Sequence, residues 1–139
     1  MTKPTTALAD RFARSLERHD VDELDEWIAL DYVQHNPYVA QGRDGVRSFF
    51  DAWHQAFTDT EVIVEDALVA GDRLVGRFTY RARHTGEFMG IPPSGNEVEM
   101  RSIDIWRVVD GKLVEHWDEI NTAEFFAQLG GFPTTSPVD

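Results

Sequence analysis

Glu97-Val-Glu-Met-Arg-Ser-Ile-Asp-Ile-Trp-Arg-Val-Val-Asp-Gly-Lys-Leu-Val-Glu-His-Trp-Asp-Glu-Ile120 alternates in character on both sides of Asp110-Gly111. Alternation at period two marks a strand with one buried face. Asp-Gly between two such runs is a strong hairpin signal. The stretch therefore reads as two antiparallel strands, Glu97–Val109 and Lys112–Ile120. In the first, Val98, Met100, Ser102, Asp104, Trp106 and Val108 share a face. In the second, His116 and Asp118 share a face with Val114 and Ile120.

Whether those faces coincide depends on the turn. A two-residue loop pairs Val109 with Lys112 and turns Asp104 away from His116 and Asp118. A three-residue loop, with Gly111 left-handed as a bulge, pairs Val108 with Lys112. Asp104 then lies opposite His116, and Ser102 opposite Asp118. The sequence fits both turns; the bulged one is the expectation, because it gathers Ser102, Asp104, Trp106, His116 and Asp118 on one concave face.

Upstream, Arg73–His84 alternates as clearly. Leu74, Phe78, Tyr80, Ala82 and His84 fall on one side, and Arg73, Arg77, Arg81 and Arg83 on the other. Gly86–Asn96, with two prolines and three glycines, is a loop. Glu61–Leu68 begins the sheet. Before it, residues 6–19 carry an apolar stripe of Leu8, Phe12 and Leu16 at helical spacing. Asp20 and Glu23 can cap a short second helix, and Arg43–Phe57 places Val46, Phe50, Trp53 and Phe57 on one helical face. Between them, Asp31–Pro37 is extended or turning, since Pro37 disfavours a helical Asn36. A last helix starts near Asn121, buries Phe125, Phe126 and Leu129, and stops at Gly130. Helices segregated from an antiparallel sheet give an α+β class. The 139 residues read as one domain, 1–139, without repeat or linker.

Composition narrows the function classes. Twenty-five acidic residues against 13 lysines and arginines give a net charge of −12, which argues against nucleic acid and anionic membranes as partners. No apolar run approaches the roughly 20 residues that span a bilayer. The first residues lack a signal peptide's apolar stretch, so the expected location is cytoplasmic. The absence of cysteine excludes disulfides, zinc–thiolate sites and thiol nucleophiles.

Function should lie where the pattern breaks. Asp104 sits among Met100, Trp106 and Val108, and a buried carboxylate costs several kcal/mol unless paired or protonated. His84 ends a face made of Phe78 and Tyr80, and His116 and Asp118 complete the polar set. Alone, each fits a satisfied core residue; together they fit an acid–base site. The expected catalytic set is Asp104, Asp118, His84 and His116. The expected substrate-facing set is His35, beside Pro37 at the pocket mouth, with Phe12, Trp53, Phe57, Tyr80, Met100, Ser102 and Trp106. A metal site from His35, His84, His116 and Asp118 is a third possibility, since histidines with a carboxylate suit iron or zinc. It lacks the close helical histidine spacing of known metal motifs.

The ordered motifs His84-Thr-Gly-Glu-Phe-Met-Gly-Ile-Pro-Pro-Ser-Gly, Ile103-Asp-Ile-Trp-Arg and Asp110-Gly-Lys-Leu-Val-Glu-His-Trp-Asp118 resemble the SnoaL-like polyketide cyclase family. His35-Asn-Pro and Gly42-Arg-Asp-Gly45 with Phe49-Phe50 match its upstream pattern, so the likeness runs from about Tyr32 to Leu129. The resemblance implies a nuclear transport factor two-like fold: a cone-shaped curved antiparallel sheet, a half-barrel, with N-terminal helices closing a pocket. It also implies an intramolecular aldol cyclase that needs no metal or cofactor and uses an aspartate as general acid/base. Asp104 and Asp118 are the aspartates that carry over, with the choice between them open. Asn121 stands where relatives often have a further aspartate. Fold and motif do not by themselves fix chemistry. An isomerase, dehydratase or epoxide hydrolase would use the same parts, and a non-catalytic binding protein for an apolar ligand would use the same pocket. Ile103, Ile105 and Trp117 fall on the opposite face, an apolar surface that predicts a homodimer.

Overall fold

Asp110 and Gly111 both have positive φ, 50° and 77°. That is the two-residue type I′ turn whose twist matches a hairpin, and Val109 pairs with Lys112. The bulged three-residue turn expected from sequence is therefore incorrect. The bulge lies instead within the strand: Val108 pairs with Leu113, but Arg107 pairs with Glu115, which leaves Val114 as the extra residue.

The computed structural model describes residues 6–135. Along the chain come α1 (Ala7–Arg18), a 3₁₀ turn (Leu24–Glu26), β1 (Ile28–Gln34), α2 (Gly42–Ala56), β2 (Phe57–Ala70), β3 (Arg73–His84), β4 (Glu97–Val109), β5 (Lys112–Ile120) and α3 (Thr122–Leu129). The five strands form one sheet in the order β1-β5-β4-β3-β2. From β2 to β5 every pairing is antiparallel, but β1 runs parallel to β5. The sheet is thus mixed, which corrects the all-antiparallel expectation. After β1, α2 carries the chain to β2 at the opposite edge of the sheet, and the antiparallel run β2-β3-β4-β5 returns to lie beside β1.

Register shifts interrupt β2 at Thr58/Glu61 and again at Val64/Asp66. Bulges of this kind bend and twist the strand that carries them, and the sheet curves around the helices. Inside the curve lie Leu74, Phe78, Tyr80, Met100, Trp106 and Leu113. α1 meets them along Ala9, Ala13 and Leu16, all fully buried. Of the expected stripe Leu16 is fully buried, while Leu8 and Phe12 are only partly buried, with Phe12 packed on Phe78 and Trp106. α2 buries Val46, Phe50 and Trp53 as its periodicity implied. At Gly45 a Cβ would fall 1.9 Å from the Ala40 carbonyl oxygen, so only glycine lets the first turn of α2 rest on the preceding loop. On the convex face, cross-strand ion pairs join Arg77 to Asp66, Arg81 to Glu99 and Arg83 to Glu97. Exposed as they are, they add little stability individually.

Candidate active site

Beyond Val114 the hairpin register sets Asp104 opposite Asp118 and Trp106 opposite His116. The expected pairs, Asp104 with His116 and Ser102 with Asp118, are therefore displaced by two residues. The shared face survives, because the extra residue changes the parity of β5 between Leu113 and His116. On the far side, β1 lies beside β5 with Gln34 next to His116.

Two carboxylates directly opposed across a ladder repel one another. His116 relieves this: its Nε2 lies 2.6 Å from Asp104 Oδ2 and 3.8 Å from Asp118 Oδ2. The other ring nitrogen has a defined role. Gln34 Oε1 accepts the Asn36 backbone N–H at 3.0 Å and faces His116 Nδ1 at 2.7 Å. An acceptor there means that Nδ1 carries a proton, which leaves Nε2 to face the Asp104 carboxylate. Gln34 is itself clamped. Its backbone N–H donates to Gln41 Oε1 and its carbonyl accepts from Gln41 Nε2.

The aspartates differ in what their oxygens meet. Asp104 Oδ1 accepts the Ser102 hydroxyl at 2.6 Å, and Oδ2 faces His116. Because Ser102 spends its proton on Asp104, it must accept from Tyr80, whose hydroxyl lies 2.9 Å away. Both Asp104 oxygens are therefore committed. Asp118 Oδ2 accepts Asn36 Nδ2 at 3.0 Å, and among the described residues nothing bonds Oδ1. Burial pushes the Asp118 carboxyl above the usual carboxylate range; His116 opposes that push and Asp104 reinforces it. Burial also drives the phenols of Tyr32 and Tyr80 well above their ordinary range, so both keep their protons.

Above this network the cavity has two lobes that share Asn36, Phe49, Met100 and Ile120. The polar lobe is lined by Phe12, Tyr32, Gln34, Tyr80, Asp104, His116 and Asp118. The other is almost wholly apolar, walled by Tyr38, Trp53, Phe88, Met89, Phe125 and Phe126. Each encloses about 50 Å³, well below the ~300–1,000 Å³ of occupied ligand sites. A ring-bearing molecule must therefore displace side chains on entry, and unbranched Met89 and Met100 are the most adaptable of them.

Of the residues singled out from sequence, Asp104, Asp118, His116, Ser102, Tyr80, Met100, Phe12 and Trp53 line this cavity or bond to what does. Trp106 lies behind it, with its ring stacked 5.1 Å from that of His116. Phe57 is buried against Trp53, off both lobes. Phe57 and Trp106, expected to face substrate, thus stand outside the cavity lining, and two histidines need correction as well. His84 stands eight positions along β3 from Gly76, the partner of Asp104, or about 26 Å of strand. It serves the 86–96 loop instead: Nδ1 accepts the Ser94 backbone N–H at 3.1 Å, Nε2 is buried with no hydrogen-bond partner among the described residues, and burial lowers its pKa. His35 points outward, bonds Glu115 Oε2 at 2.8 Å and stacks on Trp117. Tyr32, Gln34 and Asn36 are the inward residues that sequence reasoning missed. Period-two alternation through Asp31–Asn36 was the available signal, since it sets these three opposite His35.

The ligand atoms of Asp104, His116 and Asp118 lie within 4.8 Å of one another, so these three, and not His35 or His84, could hold a metal ion. It would have to replace the His116–Asp104 hydrogen bond. Among the described residues, no helix is long and apolar enough to cross a membrane.

The sequence profile of the SnoaL-like polyketide cyclase family matches residues 6–129. Nogalonic acid methyl ester cyclase of Streptomyces nogalater is 27% identical over 115 residues, covering 78% of this chain and 84% of that one. An aklanonic acid methyl ester cyclase of Streptomyces peucetius is 25% identical over 129 residues, 88% of each chain. Among solved structures, TsrD from Streptomyces laurentii superposes with a TM-score of 0.85 at 30% identity, over 95% of this chain and 100% of that one.

Proposed function

The chain belongs to the SnoaL-like polyketide cyclase family, and on that premise we propose that it is a cofactor-independent cyclase closing a ring by intramolecular aldol condensation of a polyketide-type carbonyl compound. One observation carries the assignment of its base: Asp118, half-buried, lines the cavity, and among the described residues one of its carboxylate oxygens has no hydrogen-bond partner. Asp118 takes a proton from a carbon alpha to a carbonyl. The resulting enolate carbon attacks a second carbonyl of the same molecule, forming the C–C bond, and the new alkoxide recovers the proton from Asp118. His116, held by Gln34 and Asp104, keeps its imidazole Nε2 3.8 Å from this carboxylate and so orients the polar wall around it. The apolar lobe suits the rest of an aromatic polycycle. Two relatives are named as cyclases of nogalonic and aklanonic acid methyl esters.

Deuterium exchange at the alpha carbon of an aromatic β-keto ester in heavy water tests this reading. Exchange above buffer that is lost in Asp118→Asn supports it. Tight binding without exchange would make the protein a carrier of apolar ligands.

The same proposal includes a cytoplasmic homodimer. A thiol-free chain requires no oxidative folding, which fits the cytoplasm. Ile103 (52% exposed), Ile105 and Trp117 make an apolar strip on the convex face, and such strips mark partner surfaces. Light scattering at micromolar concentration should report a dimer, and Ile103→Glu with Ile105→Glu should yield monomers. A wild-type monomer would sink this part.

A further inference from the structure

One polar group in the cavity is unused by the chemistry above. Tyr32 is buried and lines the polar lobe with Asp104, His116 and Asp118. Its oxygen accepts the Trp106 indole N–H at 3.1 Å; the Gln34 side chain lies beside it, but Gln34 Oε1 already faces the Asn36 N–H and His116 Nδ1, and among the described residues no acceptor makes an ordinary hydrogen bond to the phenol proton. A buried hydroxyl proton left unpaired is costly, and native structures rarely leave one without a reason. A neighbouring donor on the phenol oxygen strengthens the O–H as a donor in turn, as hydrogen-bond chains do. The phenol is also held in its protonated form, with burial as the main cause. Tyr32 is therefore a preformed, uncharged donor whose acceptor must arrive with a ligand.

We propose that Tyr32 is a catalytic residue: its hydroxyl donates to the substrate's carbonyl oxygen and holds the oxyanion of the enolate, which makes ketones and β-keto esters, rather than hydrocarbons of the same shape, the ligands of this lobe. The inference rests on the acid–base reading of Asp118. In that step the alpha C–H pair becomes the enolate double bond, the proton passes to Asp118, and the charge moves to the oxygen under Tyr32. The phenol proton stays on Tyr32 throughout.

The carbonyl stretch of bound acetylnaphthalene reads this contact without turnover. In the wild type the band should lie below its position in an apolar solvent, and Tyr32→Phe should abolish the difference. With a naphthyl β-keto ester, Tyr32→Phe should lower the alpha-exchange kcat by about 10²–10³-fold, the usual cost of losing one oxyanion donor, with KM little changed. A ring-fluorinated tyrosine at position 32 preserves shape and is a stronger donor, so the band must move further down even if Tyr32→Phe does not fold. An unmoved band there, or band and rate both unchanged in Tyr32→Phe, overturns the assignment. A band shift in a wild type that shows no exchange removes the aldol reading and leaves Tyr32 as the carbonyl contact.

Discussion

Asp118→Asn is expected to cut alpha-proton exchange, and with it ring closure, by about 10²–10⁴-fold, the contribution of one positioned base. The variant should fold, because an asparagine oxygen can still accept the Asn36 Nδ2–H that reaches Asp118 Oδ2. The wild-type rate should fall as pH drops through the raised pKa of Asp118, so the acid limb lies above the range of an ordinary carboxylate. Stability should run the other way. Between the ordinary and the raised value, the folded chain holds a proton that the unfolded chain has released, so stability declines as pH rises through that window. Asp118→Asn removes that proton linkage. Urea midpoints measured across the window should therefore decline less in the variant than in the wild type. A variant with wild-type exchange would transfer the base to another group, and parallel stability curves would contradict the burial of Asp118 as a strained carboxyl.

Trp53→Ala should cost about 3–5 kcal/mol, as large aromatic truncations in cores do. Trp53 is 1% exposed and packs against Phe49, Phe57, Tyr80, Phe88 and Phe125. Its indole N–H also donates to Thr60 Oγ1 at 3.0 Å, which ties α2 to the start of β2. For a chain of this size the loss corresponds to a fall in Tm of roughly 10 °C or more. Because Trp53 walls the apolar lobe, the void should admit bulkier aromatic ketones that the wild type rejects. Calorimetry checks the first effect and ligand titration the second. A loss under about 1 kcal/mol would mean that the aromatic cluster repacks without its centre.

Much of this fold is legible in the sequence because it is carried by period. Strands β3 and β4 alternate over a dozen residues, and α2 repeats its apolar face through Val46, Phe50 and Trp53. What escapes is whatever period does not encode. The parallel placement of β1 depends on α2 carrying the chain to the opposite edge of the sheet, a non-local event with no local signature. The bulge at Val114 has none either, since valine suits a regular strand as well as an interrupted one. The turn inferred from sequence is incorrect and the shared face is present, because a tight turn followed by a bulge has the same parity as a bulged turn. His84 misleads through the same regularity. It continues the inward face of β3, but that face outruns the cavity and ends beneath the 86–96 loop.

The bulge also bears on insertions and deletions. From Val114 onward, the inward or outward sense of every β5 side chain depends on how many residues separate it from the turn. The site thus has something like a reading frame, held by a count and not by any one side chain. Removing one residue between Gly111 and His116 would leave composition and turn almost untouched, yet would swing His116 and Asp118 to the convex face and bring Trp117 and Glu119 inward. A substitution at position 114 leaves that count intact, whereas a deletion there does not.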